Sequence, residues 1–434
     1  MSHLDRLADV FPDLPPAVLL KADLLRHGVR LDTAAGSRHY HHHDARGQKA
    51  GLDPRAHVQG SVELPGGVHV FITHNEKSPY VLRQADRGFE LSIDTGGDGR
   101  EEIVTAVDPG PRFAWTSART SRGTPLATLF TPSLGGACGP VAVFLLRHCE
   151  FAVAGEECRF CSWVRMGKSV EMRPDVDEMR EAYSAITAEQ RSVGYLAFSG
   201  GSLFNRTKEA DAFLDYMRAA RETGARLPAT VAAIQALDRP DSIRLRDAGF
   251  DYVCYSMEVW HERAWPEVLP GKSRSLGRAR WMECLQEVVD VFGPGRVLCN
   301  FVAGVEAAVP DLYRSDAEAA ESTLEGMRWC DEHGIYPKYA AWIVSGGAQY
   351  GDRTPPSLDY LARVMTGRQA LYAESSVAVP ATDCQRCLTQ SFEADLAVLD
   401  PARYGQGQAA ARAWRTCHPR AHANPEPRTQ NLEP

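Results

Sequence analysis

The hydrophobic pattern of the chain changes twice along its length. Residues 1 to about 30 carry apolar side chains at helical spacing, whereas residues 58 to about 131 contain short β-like runs separated by Gly, Pro and Asp. From residue 141 onward, short apolar runs alternate with longer amphipathic stretches. We therefore predict a short helical lead-in, a β-rich region, and a third region in which strands and helices alternate.

The third region is predicted to contain six strands, at 141–146, 194–199, 227–237, 252–257, 297–305 and 335–344. The helices predicted between and after them cover 175–193, 208–224, 238–249, 276–292, 316–334 and about 356–375. Such alternation produces right-handed crossovers and a parallel sheet. The predicted fold class is α/β, a partial (β/α)6 barrel of the TIM type. Functional residues of such barrels lie on the loops that follow the strands.

The β-rich region has predicted strands at 68–74, 88–94, 101–107 and 112–118. A Gly- and Pro-rich break at 135–140 separates it from the barrel. We expect an N-terminal accessory region at 1–135, a barrel at 136–378 and a C-terminal extension at 379–434. The composition after Arg403 predicts disorder.

Composition limits the classes of function. The chain has 434 residues, a formal net charge of −8 and a pI near 6.0, so a nucleic-acid surface built on bulk charge is not expected. No apolar run approaches the ~20 residues that span a bilayer, and the first residues lack the apolar core of a signal peptide. We expect a cytoplasmic protein with no membrane partner. Its eleven cysteines then favour metal or redox chemistry over disulfides.

Three cysteines follow the first predicted barrel strand, at Cys149, Cys158 and Cys161. Three thiolates on one loop can each ligate one iron of a cubane cluster and leave the fourth iron open. A zinc site closed by His148 or another cysteine is the stronger alternative, and thiols that only pack in the core are the weaker one. Cys138 is the leading candidate for a fourth ligand.

The segment Cys158-Arg159-Phe160-Cys161 resembles the second half of the radical S-adenosylmethionine signature, Cys-x3-Cys-x2-Cys. This chain departs from the signature because eight residues separate Cys149 from Cys158. The resemblance extends over about 138–350, through motifs that follow in the same order on successive strands. It implies a [4Fe-4S] cluster held by the three cysteines, and S-adenosylmethionine as a second cofactor.

Gly200 and Gly201 follow the second barrel strand and are similar to the Gly-Gly-Glu motif of that superfamily. The backbone of the motif binds the methionine amino group. Ser202 stands where the motif has Glu, so the similarity depends on the glycines. A plain tight turn is the alternative interpretation.

Ser256 and Glu258 end the fourth strand and resemble the Ser-x-Glu element of the biotin-synthase-like branch, in which the acid helps to hold the adenosyl moiety. Lys272 and Arg280, like Arg278, are candidates to pair with the methionine carboxylate, a role for which bidentate geometry favours Arg. A solvated helix face is the alternative for each cation.

Gly304 lies in the segment 299–306, which resembles the superfamily's fifth-strand element beside the adenine. Glu306 is expected to cap the loop that follows. Beyond the barrel, Cys384 and Cys387 are spaced as an auxiliary iron–sulfur site, as half of a zinc ribbon, or as two thiols without a ligand role, and Cys417 stands alone.

The resemblance implies an enzyme that cleaves S-adenosylmethionine reductively and starts radical chemistry on a small-molecule substrate. Its expected partners are that substrate and an electron donor such as flavodoxin or ferredoxin. Transfer of the aminocarboxypropyl group of S-adenosylmethionine, a zinc-dependent barrel hydrolase and a non-catalytic iron–sulfur protein are the alternative functions.

Overall fold

The computed structural model describes residues 2–31, 61–85, 88–94, 101–109, 114–132, 141–161, 173–188, 195–344, 346–380 and 391–405. Four cysteines singled out by the sequence lie outside these ranges, namely Cys138, Cys384, Cys387 and Cys417. The disorder predicted after Arg403 also falls beyond them, apart from residues 404 and 405.

Thirteen strands are present in the described ranges: β1 Arg30–Leu31, β2 Ser61–Leu64, β3 Val68–Phe71, β4 Tyr80–Gln84, β5 Phe89–Asp94, β6 Glu101–Pro109, β7 Phe130–Pro132, β8 Val141–Leu146, β9 Tyr195–Gly200, β10 Ala229–Ala233, β11 Tyr252–Cys254, β12 Val297–Ala303 and β13 Tyr336–Ala341.

The α-helices of the same ranges are α1 His3–Val10, α2 Pro16–His27, α3 Leu126–Leu129, α4 Glu150–Val153, α5 Val176–Ala188, α6 Arg206–Glu222, α7 Arg239–Ala248, α8 Ala264–Val268, α9 Pro270–Ser275, α10 Arg278–Phe292, α11 Asp316–Glu332, α12 Leu358–Glu374, α13 Glu393–Leu399 and α14 Pro401–Tyr404. None of these helices has both the length and the apolar character needed to cross a membrane.

The barrel sheet has the strand order β13-β12-β11-β10-β9-β8-β7. Strands β8 to β13 are parallel and neighbour one another in chain order, which confirms the predicted α/β fold with six barrel strands. Strand β7 pairs antiparallel with β8 at the edge and was not predicted. The carboxyl ends of the parallel strands define one end of the sheet, called the barrel mouth below.

The β-rich N-terminal region forms a six-stranded sheet in the order β1-β4-β5-β6-β2-β3. The strand predicted at 112–118 is wrong, because residues Ala114–Ser117 form a 3-10 turn. That turn buries Trp115, whose ring meets Phe130 edge to face at 6.0 Å. One buried aromatic residue between the smaller residues Ala114 and Thr116 resembles strand alternation over so short a stretch.

The two ends of the described chain meet on helix α2. The Lys21 ammonium lies 2.8 Å from the Asp395 carboxylate and 2.5 Å from the Ser391 carbonyl oxygen, and both charged side chains are fully buried. Removing one partner from such a pair would leave a buried charge, so the contact holds residues 391–404 against the lead-in helix. No local sequence pattern indicates this ion pair, because its two members are 374 residues apart.

Candidate functional site

One cavity opens at the barrel mouth beside β8 to β11. It brings together nine residues that the sequence predicts as site residues: Cys149, Cys158, Cys161, Gly200, Gly201, Ser202, Ser256, Glu258 and Lys272. They come from four separate segments of the chain. Their convergence follows from the parallel sheet, which brings the loops after successive strands to the same end.

Hydrogen bonds fix the beginning of the cysteine loop to the exit of β9. Cys149 stands at the N-terminus of helix α4. The Glu150 backbone N–H donates to the Ser202 carbonyl at 2.8 Å, and the Phe204 N–H donates to the Glu150 carboxylate at 2.5 Å. The position of Cys149 is therefore determined by the loop that carries the glycine pair.

The end of the cysteine loop is held by the segment that follows β11. The Arg159 N–H donates to the Val268 carbonyl at 2.9 Å, and the Gly271 N–H donates to the Glu156 carbonyl at 3.0 Å. A Cβ atom on Gly271 would lie 2.6 Å from that same carbonyl oxygen. Because both ends are fixed, the loop presents its thiols to the cavity from a defined backbone.

The glycine pair allows two strand exits to approach each other closely. A Cβ on Gly201 would lie 1.9 Å from the His148 carbonyl oxygen, and one on Gly200 would lie 2.6 Å from that of Leu146. The Gly201 N–H donates to Leu146 at 2.8 Å. The glycines thus have a packing role beside Cys149, and they also line the cavity.

Glu258 and Lys272 form an ion pair in the cavity wall, with Oε1 and Nζ 2.9 Å apart. Their side chains are 15% and 10% exposed, so water screens the pair only weakly. Glu258 has a left-handed backbone with φ of 65°, which strains a non-glycine residue. Hydrogen bonds with β12 hold it in place, since its N–H donates to Asn300 at 2.9 Å and its carbonyl accepts from Val302 at 2.8 Å.

The electrostatics of the cavity connect this ion pair to the thiols. Burial alone would lower the pKa of Lys272, but Glu258 and the thiols Cys158 and Cys149 outweigh it, and the pKa is raised. Burial raises the pKa of Cys158, and the Lys272 charge opposes that rise. Lys272 is therefore a fixed cation whose charge partly offsets the cost of forming a thiolate at Cys158.

Two predicted site residues do not reach this cavity. Arg280 on helix α10 contacts three carboxylates instead, at 2.6 to 3.0 Å, from Asp238, Glu283 and Glu287. These acids occupy its donors, so pairing with a methionine carboxylate is not supported. Gly304, with φ of 104°, packs against Pro356 and is not part of the cavity lining.

Glu306 caps a loop, but the loop is the one after β11 and not, as predicted, the one that follows its own strand. Its buried carboxylate accepts hydrogen bonds from the backbone N–H groups of Trp260 and, at 2.8 Å, of His261. The hydroxyls of Tyr313 and Ser322 donate to it at 2.5 and 3.0 Å. The capped loop is the one that begins at Glu258, so this network helps to fix the strained residue.

The cavity wall also contains a buried acid that the sequence motifs do not indicate, Glu209 on helix α6. It accepts hydrogen bonds from the Leu203 N–H at 2.6 Å, from the Gln235 Nε2 at 2.5 Å and from the Gln235 N–H at 3.3 Å. The sequence does contain one signal for its burial, which is that Glu209 falls on the same face of α6 as Ala210 and Phe213. Glu209 ties the loop after the glycine pair to β10.

Burial raises the pKa of Glu209 to about 7, against the influence of its hydrogen bonds, from an ordinary value of 4.5. Below pH 4.5 the carboxyl is protonated in both states, and between pH 4.5 and 7 it ionises in the unfolded chain first. The free energy of unfolding should therefore fall over this window, by roughly 3 kcal/mol, and then level off. Glu209→Gln should remove this fall, measured by denaturant unfolding of the apoprotein at several pH values.

The exposed Glu374→Gln is the matched control for that experiment and should keep the wild-type pH dependence. Parallel stability curves for wild type and Glu209→Gln between pH 5 and 8 would mean that Glu209 ionises normally in the folded protein.

The side chains that could act as ligands determine which kind of metal group the cavity could hold. Within the described ranges, no three Cys, His, Asp or Glu side chains are close enough together to hold a single metal ion. Three thiols nevertheless line one cavity with a cation beside them, and a buried oxygen of Glu157 in the same lining has no hydrogen-bond partner among the described residues. Thiolates from one loop match the ligands of an iron–sulfur cluster.

Comparison with known proteins adds a match along the sequence. No model of a known protein family matches the chain. A bacteriochlorophyllide c C-7(1)-hydroxylase from Chlorobaculum limnaeum is 22% identical over 277 residues, which are 60% of this chain and 65% of that protein. The aligned segment covers less than two thirds of either protein.

Two solved structures also align with parts of the chain. A radical SAM methyltransferase from Sphaerobacter thermophilus is 14% identical, with 67% of this chain and 74% of that chain aligned at a TM-score of 0.39. The FeFe-hydrogenase maturase HydG from Carboxydothermus hydrogenoformans is 10% identical, with 58% and 56% aligned at 0.40.

Proposed function

We propose that the protein is a radical S-adenosylmethionine enzyme that starts radical chemistry on a small-molecule substrate. The observation that carries the proposal is the convergence of three thiols, a glycine pair and a buried Glu–Lys pair in one cavity at the barrel mouth. The proposed function accounts for these residues without the single-metal site that a zinc-dependent hydrolase would require.

Cys149, Cys158 and Cys161 would hold the [4Fe-4S] cluster. When bound, the cluster and S-adenosylmethionine supply a one-electron reduction that breaks a carbon–sulfur bond and yields a radical able to abstract hydrogen. The chain's own task is to bind and orient S-adenosylmethionine and to keep water away from its reacting end.

The cavity wall offers groups for each part of S-adenosylmethionine. Backbone groups at Gly200 and Gly201 would hold the methionyl amino group, because both residues line the cavity beside Cys149. The Glu258 carboxylate suits the ribose hydroxyls, and its partner Lys272 suits the methionyl carboxylate in place of Arg280. Lys272 is also held over the face of Trp281, 4.7 Å from the ring centre, which limits where its ammonium can lie.

Aromatic side chains complete the lining. Phe151 and Phe160, both on the cysteine loop, border the same cavity as the thiols. Phe151 also meets Phe204 edge to face at 5.4 Å, so it is fixed by the loop after β9. Such apolar surface excludes water from the reacting groups.

The curated relative supports hydrogen abstraction as the reaction class, because its name describes hydroxylation of a carbon centre. The match covers 65% of that relative, and its substrate is therefore not assigned to this chain. An electron donor such as flavodoxin or ferredoxin would reduce the cluster. A second candidate is aminocarboxypropyl transfer, which the eight-residue gap before Cys158 leaves open.

The products of S-adenosylmethionine distinguish these functions. Anaerobically reconstituted protein, reduced with dithionite and given S-adenosylmethionine, should slowly form 5′-deoxyadenosine and methionine in equal amounts even without substrate. Chromatography of the quenched mixture measures both. Methylthioadenosine would favour the transfer reaction, and intact S-adenosylmethionine with a fully loaded, reduced cluster would contradict both functions.

A further inference from the structure

The interior of the barrel has a closed floor. Large or apolar side chains from five neighbouring strands pack together there, namely Tyr195, Val231, Cys254, Leu298 and Tyr336, and Tyr372 of helix α12 joins them. Their alternate neighbours on the same strands, such as Val253 and Cys299, pack instead in the main core toward the helices. The five strand residues therefore define the inner face of the sheet.

Above this floor the inner face carries small or polar residues. Two positions further along their strands stand Ala233 after Val231, Ser256 after Cys254, Asn300 after Leu298, and Lys338 after Tyr336. All of them remain partly accessible although they face the interior. Ser256 and Ala233 belong to the lining of the cavity that contains the cysteines. The barrel interior above the floor therefore borders that cavity at β10 and β11.

Asn300 and Lys338 form a polar pair in this space. They are directly paired in the register of β12 and β13, and Ser256 lies beside Asn300 because Cys254 pairs with Leu298. With strands about 4.8 Å apart, Lys338 lies roughly 10 Å across the sheet from Ser256.

Neither polar side chain contributes a hydrogen bond or an ion pair to the described part of the fold. The Lys338 ammonium and the Asn300 amide make no hydrogen bond or ion pair with any residue in the described part of the chain. Burial raises the pKa of the Cys254 thiol to about 11, and the charge of Lys338 opposes the rise, which agrees with an ammonium on the inner side of the sheet. A partly accessible ammonium without a protein partner is free to pair with an anionic group of a ligand.

We propose that Lys338 and Asn300 form the substrate's anchoring subsite, and that the substrate is an acid whose carboxylate or phosphate group pairs with the Lys338 ammonium and accepts a hydrogen bond from the Asn300 amide. This inference rests on the proposed function. An oxyanion held there leaves the rest of a small molecule in the space between β12 and the cavity, so that a carbon several bonds from the acid group faces the reacting end of S-adenosylmethionine.

The test uses the reconstituted, reduced holoenzyme and a small-molecule extract of the source cells, separated by anion exchange into an anionic and a non-anionic fraction. The rate of 5′-deoxyadenosine formation is measured against increasing amounts of each fraction and divided by the same variant's rate without extract. The variants are Lys338→Met, Lys338→Arg and Asn300→Asp. Lys208→Met is the matched control, because that lysine is exposed on the outer helix α6.

The anionic fraction should accelerate the wild type and Lys208→Met. In Lys338→Met the amount that gives half-maximal acceleration should rise about tenfold or more with little change in the limiting rate, as expected for loss of a charged hydrogen bond. Lys338→Arg should retain most of the response. Asn300→Asp should lose it, because the new carboxylate would occupy the lysine. Treatment of the fraction with alkaline phosphatase, or methylation of its carboxylates, identifies which acid group is recognised.

Acceleration by the non-anionic fraction alone, no acceleration by the anionic fraction, or equal responses in Lys338→Met and Lys208→Met would overturn the subsite. Failure of the proposed function looks different. In that case no 5′-deoxyadenosine forms in any variant, with or without extract.

Discussion

Replacing Cys149, Cys158 and Cys161 together with alanine is expected to remove about four iron ions and four sulfides per chain, one [4Fe-4S] centre. S-adenosylmethionine cleavage should fall to background in the same variant. The physical reason is that these three thiols line one cavity, and that the charge of Lys272 opposes the rise that burial causes in the pKa of Cys158. Iron and sulfide analysis of anaerobically reconstituted protein measures the loss directly.

Cys284→Ala is the control for that variant, because Cys284 is fully buried in helix α10 and is absent from the cavity lining. It should keep the wild-type iron content. If the triple variant kept a full, unchanged cluster, the ligands would lie elsewhere in the sequence, and Cys138 would be tested next. The metal content of a separate double variant, Cys384→Ala with Cys387→Ala, shows whether these two cysteines hold an auxiliary centre.

Glu258→Ala is expected to weaken S-adenosylmethionine binding by about 1–3 kcal/mol, the scale of losing one partner from a buried hydrogen bond. The iron content should not change. The same substitution leaves the Lys272 ammonium without its partner at 2.9 Å, so the folded protein should also lose stability. Equilibrium dialysis with labelled S-adenosylmethionine measures the binding, and denaturant unfolding measures the stability.

A double variant separates these two effects. Glu258→Gln combined with Lys272→Met replaces the ion pair with neutral groups of similar size, and it should recover much of the stability but not the binding. Recovery of both would mean that the pair only supports the fold. Unchanged binding in Glu258→Ala alone would remove Glu258 from the S-adenosylmethionine site.

The sequence predicted the barrel well because its signals are local. The helix predicted to stop at Gly249 does end there, with that glycine in the left-handed conformation at φ of 95°. The cysteine loop, the glycine pair and Glu258 each follow a strand, and the parallel sheet then brings them together without further information. Strand order together with the family resemblance therefore predicted nine residues of the cavity lining.

The misses have a common cause, which is that orientation and long-range contact are not encoded in short patterns. Arg280 and Lys272 are equally plausible cations in the sequence, but only the packing of helix α10 turns Arg280 toward Asp238 and its own helix's acids. The sequence does not distinguish Glu209, which is buried, from a glutamate on a solvent-exposed helix face. The Lys21–Asp395 pair joins the two ends of the described chain, which no local window contains.

The central claim is that one cavity brings a cysteine-bound cluster and S-adenosylmethionine into contact. The most direct measurement is the low-temperature EPR spectrum of the reduced protein before and after addition of S-adenosylmethionine carrying ¹⁵N in its amino group. The account predicts that the cluster signal changes shape and acquires a magnetic coupling to that nitrogen. An unchanged spectrum, with no coupling at saturating S-adenosylmethionine, would contradict it.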